Sequence, residues 1–189
     1  MESRTGLTTR FDEFFNTWRQ NIPLEFLRVL SWRESSHKEH NREGAAWGLL
    51  EIVPVVLADF NKRYKTTYTM DDVADNVSLN VRMACETLHT VIKVYNASGL
   101  KELKENWMDE NWIILLTMGW NSGYSVQGGL TKVALYLHKE GIAINPESIR
   151  TNAKAAGGSR WLTERKTTWA RSVADLYYKE RWANGVVPC

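Results

Sequence analysis

An all-α, single-domain fold is what this sequence predicts, on three observations. Apolar residues recur at intervals of three and four, most plainly at Val81, Ala84, Cys85, Leu88, Val91, Ile92 and Tyr95, which is the pattern of a helix with one buried face. Pro23, Pro54 and Pro146 stand near the starts of helical segments, where a missing N–H costs nothing, and turn residues such as Asn96-Ala97-Ser98-Gly99 stand where one ends. The chain has 189 residues, 43% hydrophobic and 24% charged, with no repeat, low-complexity stretch or linker. One domain spanning 1–189 can bury a substantial core at that size.

In chain order, Thr9 is placed to cap a short helix over 10–19, whose Phe11, Phe14, Phe15 and Trp18 form one aromatic, core-packing face. The main helix runs over 23–34, and the loop SSHKEHNREGAA after it carries His37 and His40. Two histidines three apart lack a third ligand, so the loop reads as solvated and no metal is expected. A small β-hairpin near 38–50 is allowed. Pro54 opens a helix ending near Tyr64, and Thr69 with Asp72 three residues on is a capping pattern for a short turn over 71–75. Helices follow over 79–95, 107–118 and 130–139, then one from Pro146 that Ala156-Gly157-Gly158-Ser159 breaks. A last helix over 163–182 brings Trp169, Val173, Leu176 and Tyr177 inward. The GYSVQGG segment has no preceding strand and no Gly-Lys-Ser ending, which argues against a phosphate-binding loop.

Composition excludes several classes. The formal charge of +2 is small, and the basic residues are interspersed with acids rather than clustered, so no nucleic-acid partner is expected. No stretch approaches the ~20 apolar residues of a membrane span. The segment MESRTGLTTRFDEFF lacks the apolar run of a signal peptide. The two cysteines have neither zinc-site nor redox spacing; Cys85 reads as core and Cys189 as tail.

The stretch that organises the chain is 22–52. Leu27, Leu30 and Glu34 follow Pro23 on one helical stripe, so Glu34 continues an apolar face. A carboxyl carried into such a site loses hydration and holds its proton to higher pH, which a general acid requires. On the helix alone, a solvent-capped end is the simpler reading. The turn that follows, Ala46-Trp47-Gly48-Leu49-Leu50-Glu51-Ile52 and then Pro54, changes that.

Here the chain resembles the soluble lytic transglycosylases and goose-type lysozymes. In that family a helix ends in glutamate-serine, and an alanine-x-glycine-leucine-x-glutamine-isoleucine-x-proline segment returns to the cleft. Arg33-Glu34-Ser35-Ser36 matches the first element and Ala46 to Pro54 the second, with Glu51 where glutamine is usual. Asn80-Val81 resembles the family's asparagine-isoleucine helix start. Trp120-Asn121-Ser122-Gly123 resembles its tyrosine-asparagine-alanine-glycine element, which closes the cleft from the far side. The four elements occur in order over about 22–125, with further helices over 130–182.

The resemblance implies a lysozyme-like fold and a peptidoglycan lytic transglycosylase that uses no cofactor. Glu34 would be the catalytic acid and base. Ser35, Trp47, Gly48, Glu51, Trp120, Asn121 and Tyr124 would line the substrate site. Trp47 and Trp120, with Tyr124 third, are the candidates for stacking on sugar rings; Trp18, Trp107, Trp112, Trp169 and Trp182 read as core. The partner would be the peptidoglycan glycan strand. Delivery to the wall would need a virion, a holin, a secretion machine or prior removal of a leader.

Three departures qualify the match. Glu51 puts a second carboxylate near Glu34, Trp120 replaces a tyrosine hydroxyl with an indole that only donates, and Ala84 and Thr87 replace glycine and an aromatic residue. Two alternatives therefore stand beside the transglycosylase. One is a muramidase- or chitinase-type hydrolase in which Glu51 or an acid among Asp71, Asp72 and Asp75 holds a water. The other is a non-catalytic glycan-binding or structural part of a phage or secretion assembly.

Overall fold

A computed structural model describes residues 6–183. Cys189 and the first residues of the N-terminal segment lie outside them. The described residues form nine α-helices and one short 3-10 turn, without a sheet. The chain clusters into two compact units: the described residues up to Thr87 with those from Tyr177 onward, and Leu88–Leu176.

The first unit contains α1 (Asp12–Trp18), α2 (Leu24–Ser35), α3 (Pro54–Tyr64), α4 (Met70–Asp75) and the first half of α5 (Val77–Ala97). Pro54 occupies the first position of α3, and Thr69 and Asp72 close the capping box of α4. Pro23 stands one position ahead of α2, as its N-cap. Thr9 does not cap α1 through its side chain; its carbonyl accepts from the Asp12 N–H, and Phe11 takes the cap position. Phe11, Phe15, Phe26, Leu27 and Leu30 are all buried, at about 1.5–3 kcal/mol of burial each. Within this core Arg28 bridges three segments: it donates to Asp12 Oδ1 (2.9 Å) and Oδ2 (2.5 Å) and to Glu180 Oε1 (3.1 Å).

The expected hairpin near 38–50 is a single antiparallel bridge between Trp47 and Ile52. The reason is local. Gly48 and Glu51 adopt left-handed φ values of 82° and 44°, which turns the chain at once, and Pro54 begins α3 before a second pair can form.

The second unit packs α6 (Glu110–Ser122), α7 (Leu130–Lys139) and α8 (Pro146–Asn152) against one another, with the second half of α5 and most of α9 (Glu164–Ala183) belonging to the same unit. α6 begins three residues later than its apolar run suggests, because the Asp109 carboxylate caps it by accepting from the Asn111 and Trp112 N–H groups. It also runs on through Ser122, so Trp120 and Asn121 lie in its last turn instead of after it. The buried stripe of α9 is Thr167, Ala170, Val173, Ala174, Tyr177 and Glu180. Trp169 and Leu176 are only half-buried, and Trp182, read as core, is 59% exposed, because a stripe through Tyr177 and Glu180 turns position 182 outward. Of the other expected core tryptophans, Trp112 is buried, while Trp18 and Trp107 are half-buried. Cys85 is buried, which pushes its thiol up to about 12.

Candidate functional site

The last turn of α2 carries Glu34, half-buried, and Ser35, buried. The helix stops because Ser36 and His37 both take left-handed φ values, 55° and 61°, with the Ser36 N–H closing on the Trp32 carbonyl. Ser35 Oγ then donates to the Leu49 carbonyl at 2.8 Å. That bond ties the helix end to the turn of the second motif.

The turn is pinned from three sides. Trp47 and Ile52 exchange both backbone hydrogen bonds (3.0 and 2.9 Å), and the Gly48 N–H donates to the Asn41 carbonyl at 2.7 Å. Asn80, fully buried near the start of α5, donates from Nδ2 to the Trp47 carbonyl (3.0 Å) and accepts at Oδ1 from the Leu50 N–H (2.9 Å). A Cβ at Gly48 would lie 2.1 Å from Asn80 Nδ2, so position 48 admits only glycine while Asn80 stays in place. Three of the four sequence elements, those around Glu34-Ser35, Gly48 and Asn80, thus meet in the first unit through hydrogen bonds.

Glu51, half-buried, hydrogen-bonds with Glu34. Its Oε1 also accepts from Asn41 Nδ2 at 3.0 Å. Burial holds the Glu51 carboxyl above the usual carboxylate range, aided by the Glu43 charge and opposed by the hydrogen bonds with Glu34 and Asn41.

Trp47 is half-buried beside this pair in sequence; its Nε1 donates to the Gly44 carbonyl, and the Arg42 guanidinium lies over its ring at 5.9 Å. Arg42 is itself held by Asp75 (2.7 Å) and Asp71 (3.5 Å). Asp72 is engaged in the α4 cap, where its bonds with Thr69 hold the carboxyl below the usual range.

The remaining predicted residues belong to the second unit. Asn121 accepts at its carbonyl from Lys166 Nζ (2.8 Å), and the Tyr124 carbonyl accepts from Thr131 Oγ1 (2.6 Å). Trp120 and Tyr124 are half-buried, as is Asn121. Gly119, just before them, makes room for Tyr95, whose hydroxyl donates to the Leu115 carbonyl.

Besides Ser35, Asn41 and His37 depart from the solvated loop expected over 35–46. Asn41 is buried, and no sequence signal distinguishes it from other polar loop residues. His37 is half-buried between Trp32 and Phe11, and burial lowers its pKa to about 4. His37 Nδ1 and Ser31 Oγ share a 2.9 Å hydrogen bond, and the same hydroxyl lies 3.0 Å from the Arg28 carbonyl. His37 Nε2 is buried without a hydrogen-bond partner. Among the described residues no group of three His, Cys, Asp or Glu side chains is arranged to hold a metal ion. No family model, curated protein or solved structure matches this chain.

Proposed function

We propose that this chain has a lysozyme-like fold and cleaves peptidoglycan as a lytic transglycosylase, with Glu34 as its acid and base. The observation that carries the proposal is the carboxyl pair: Glu34 at the end of an apolar helix, hydrogen-bonded to Glu51 on a turn that Ser35, Asn41 and Asn80 hold in place. A half-buried carboxyl at the end of an apolar helix loses hydration, which disfavours its charge and equips it to protonate a leaving group.

In this reaction Glu34 gives its proton to the glycosidic oxygen between N-acetylmuramic acid and N-acetylglucosamine as the bond from that oxygen to the anomeric carbon breaks. The substrate's acetamido group stabilises the anomeric charge, an exception to the two-carboxylate scheme. Glu34, now ionised, takes the proton of the muramoyl 6-hydroxyl as that oxygen bonds to the anomeric carbon. The product is a 1,6-anhydro sugar, and no water is consumed.

The position of Glu51 favours this single-acid route. Groups in hydrogen-bond contact are nearer than the about 5–5.5 Å of a retaining pair or the roughly 6.5–9.5 Å of an inverting pair, so they cannot flank a sugar ring. Asp71 and Asp75 are paired with Arg42, and Asp72 caps α4, so each of these three candidate bases of the hydrolytic alternative is already engaged.

The test is a digest of purified peptidoglycan by wild type and Glu34→Gln, with muropeptides resolved by mass spectrometry before and after borohydride reduction. Products one water lighter and resistant to reduction, absent with Glu34→Gln, are expected. Reducible products of full mass would replace the proposal with a hydrolase, and no products from wild type would return the chain to a binding or structural role.

A further inference from the structure

Trp161 lies in the second unit, outside both the core and the four sequence elements, and is 54% exposed. Its backbone is nevertheless fixed. The Trp161 N–H donates to Ser159 Oγ (3.2 Å) and the Leu162 N–H to the Ser159 carbonyl (3.1 Å), which forms a tight turn ahead of α9. The Trp161 carbonyl accepts from the Thr163 N–H (2.9 Å) and from Ser122 Oγ (3.0 Å), so the turn is tied to the end of α6. An indole presented to solvent from an immobilised backbone loses little further freedom when a ligand stacks on it.

Two cations flank the ring. The Arg160 guanidinium carbon is 4.9 Å from the ring centroid and Lys166 Nζ is 5.5 Å from it. Lys166 Nζ is held there by the Asn121 carbonyl at 2.8 Å. Arg160 is exposed and makes no hydrogen bond or ion pair among the described residues. Glu164 is the one acid in the stretch 159–166, and its carboxylate is engaged by Arg150 at 3.8 Å. The ring therefore stands in a positive field that the acid of its own segment does not neutralise.

An aromatic face beside unpaired cationic N–H groups is complementary to a ligand that offers C–H faces and a negative group. A sugar ring bearing a carboxylate has both: its C–H face stacks on the indole, and its carboxylate matches the planar fork of Arg160. A neutral sugar would use the ring alone. A nucleic-acid strand would also stack, but it calls for a basic groove along its backbone, and this chain has a formal charge of only +2 with its basic residues interspersed with acids.

We propose that Trp161 and Arg160, with Lys166, form a subsite for a carboxylate-bearing glycan, the muramoyl unit of peptidoglycan. This rests on the reading of peptidoglycan as the substrate. The carboxylate is that of the lactyl group where no peptide is attached, or of the stem peptide where one is.

The experiment is calorimetric titration of the full chain carrying Glu34→Gln, so that strands are not cut. The probes are peptide-free peptidoglycan strands, stem-bearing strands and neutral chitin oligosaccharides of the same length. A carboxylated strand should bind about tenfold tighter than chitin: both strands if the lactyl carboxylate is recognised, the stem-bearing strand alone if the peptide carboxylate is. Trp161→Ala should weaken all three ligands by about tenfold. Arg160→Gln should abolish the preference for carboxylate and leave chitin binding unchanged, and the preference should fall as ionic strength rises. Circular dichroism checks that each variant is folded, and Arg160→Gln, which has no hydrogen bond to lose, keeps the test decisive if Trp161→Ala does not fold.

Unchanged affinities in folded Trp161→Ala, an equal loss on charged and neutral ligands in Arg160→Gln, or tighter Trp161-dependent binding of a single-stranded oligonucleotide than of any glycan overturns the proposal. The titration requires no turnover. A wild type that releases no products, with Trp161-dependent strand binding, would refute the catalytic reading and leave the subsite standing; cleavage by wild type, with unaltered binding in Trp161→Ala, would refute the subsite alone.

Discussion

Gly48→Ala should be among the most damaging single methyl additions in this chain, and the structure gives the size of the effect. Position 48 has φ +82°, where an L side chain costs about 1–2 kcal/mol. The new Cβ would sit 2.1 Å from Asn80 Nδ2, 2.8 Å from Asn80 Cγ and 3.0 Å from the Val73 carbonyl. Asn80 is fully buried and bonded at both ends of its amide, so it cannot retreat without releasing the Trp47 carbonyl and the Leu50 N–H. Each bond lost costs about 0.5–1.5 kcal/mol, and a buried N–H left unpaired costs about 1–3 kcal/mol. The total is about 3–5 kcal/mol.

Gly44→Ala is the matched control. Its φ is +72°, but nothing lies within 4 Å of the added Cβ, so only the strain of about 1–2 kcal/mol remains. Urea unfolding of wild type and both variants, followed by tryptophan fluorescence and circular dichroism, measures the difference. In an Asn80→Ala background, Gly48→Ala should shrink toward the cost of the control, staying above it only by the 3.0 Å contact with the Val73 carbonyl. Equal destabilisation by the two glycine variants would refute the claim that Asn80 sets the residue at position 48.

Two further outcomes follow from buried charge. Glu180→Ala leaves Arg28, at 8% exposure, with only the Asp12 arm of its bridge, and should destabilise by about 3 kcal/mol in the same urea assay; a loss under about 1 kcal/mol would mean the bridge is solvent-screened. His37 has its pKa lowered from 6.5 to about 4, so between those values the unfolded chain binds a proton that the folded chain refuses. Stability should therefore fall by about 1–2 kcal/mol, discounted for partial exposure, as pH drops from 6.5 to 4, and His37→Gln should flatten that slope; an unchanged slope would show that other groups cause it.

The helices were legible in the sequence because their signals are local. Pro54 at the first position of α3, the Thr69–Asp72 box and the α5 stripe each act within a few residues, and each recurs in the structure as read. Misreadings arose where a neighbour outside the window decides. The Asp109 cap moved the start of α6, and the phase of α9 is set by Tyr177 and Glu180, so the apolar Trp182 faces solvent. A tryptophan's hydrophobicity is evidence of burial only when its register agrees.

At the site, what was legible was a set of backbone demands. Gly48 and Asn80 are the two halves of one demand, a left-handed residue without a Cβ and an amide filling the space, and both were singled out by the motifs that carry the resemblance. Asn41 was not legible, since an asparagine among Lys38, Glu39, Arg42 and Glu43 has the composition of a solvated loop. Its burial comes from elsewhere: its carbonyl takes the Gly48 N–H that the tight turn leaves unpaired, and this brings its amide to Glu51.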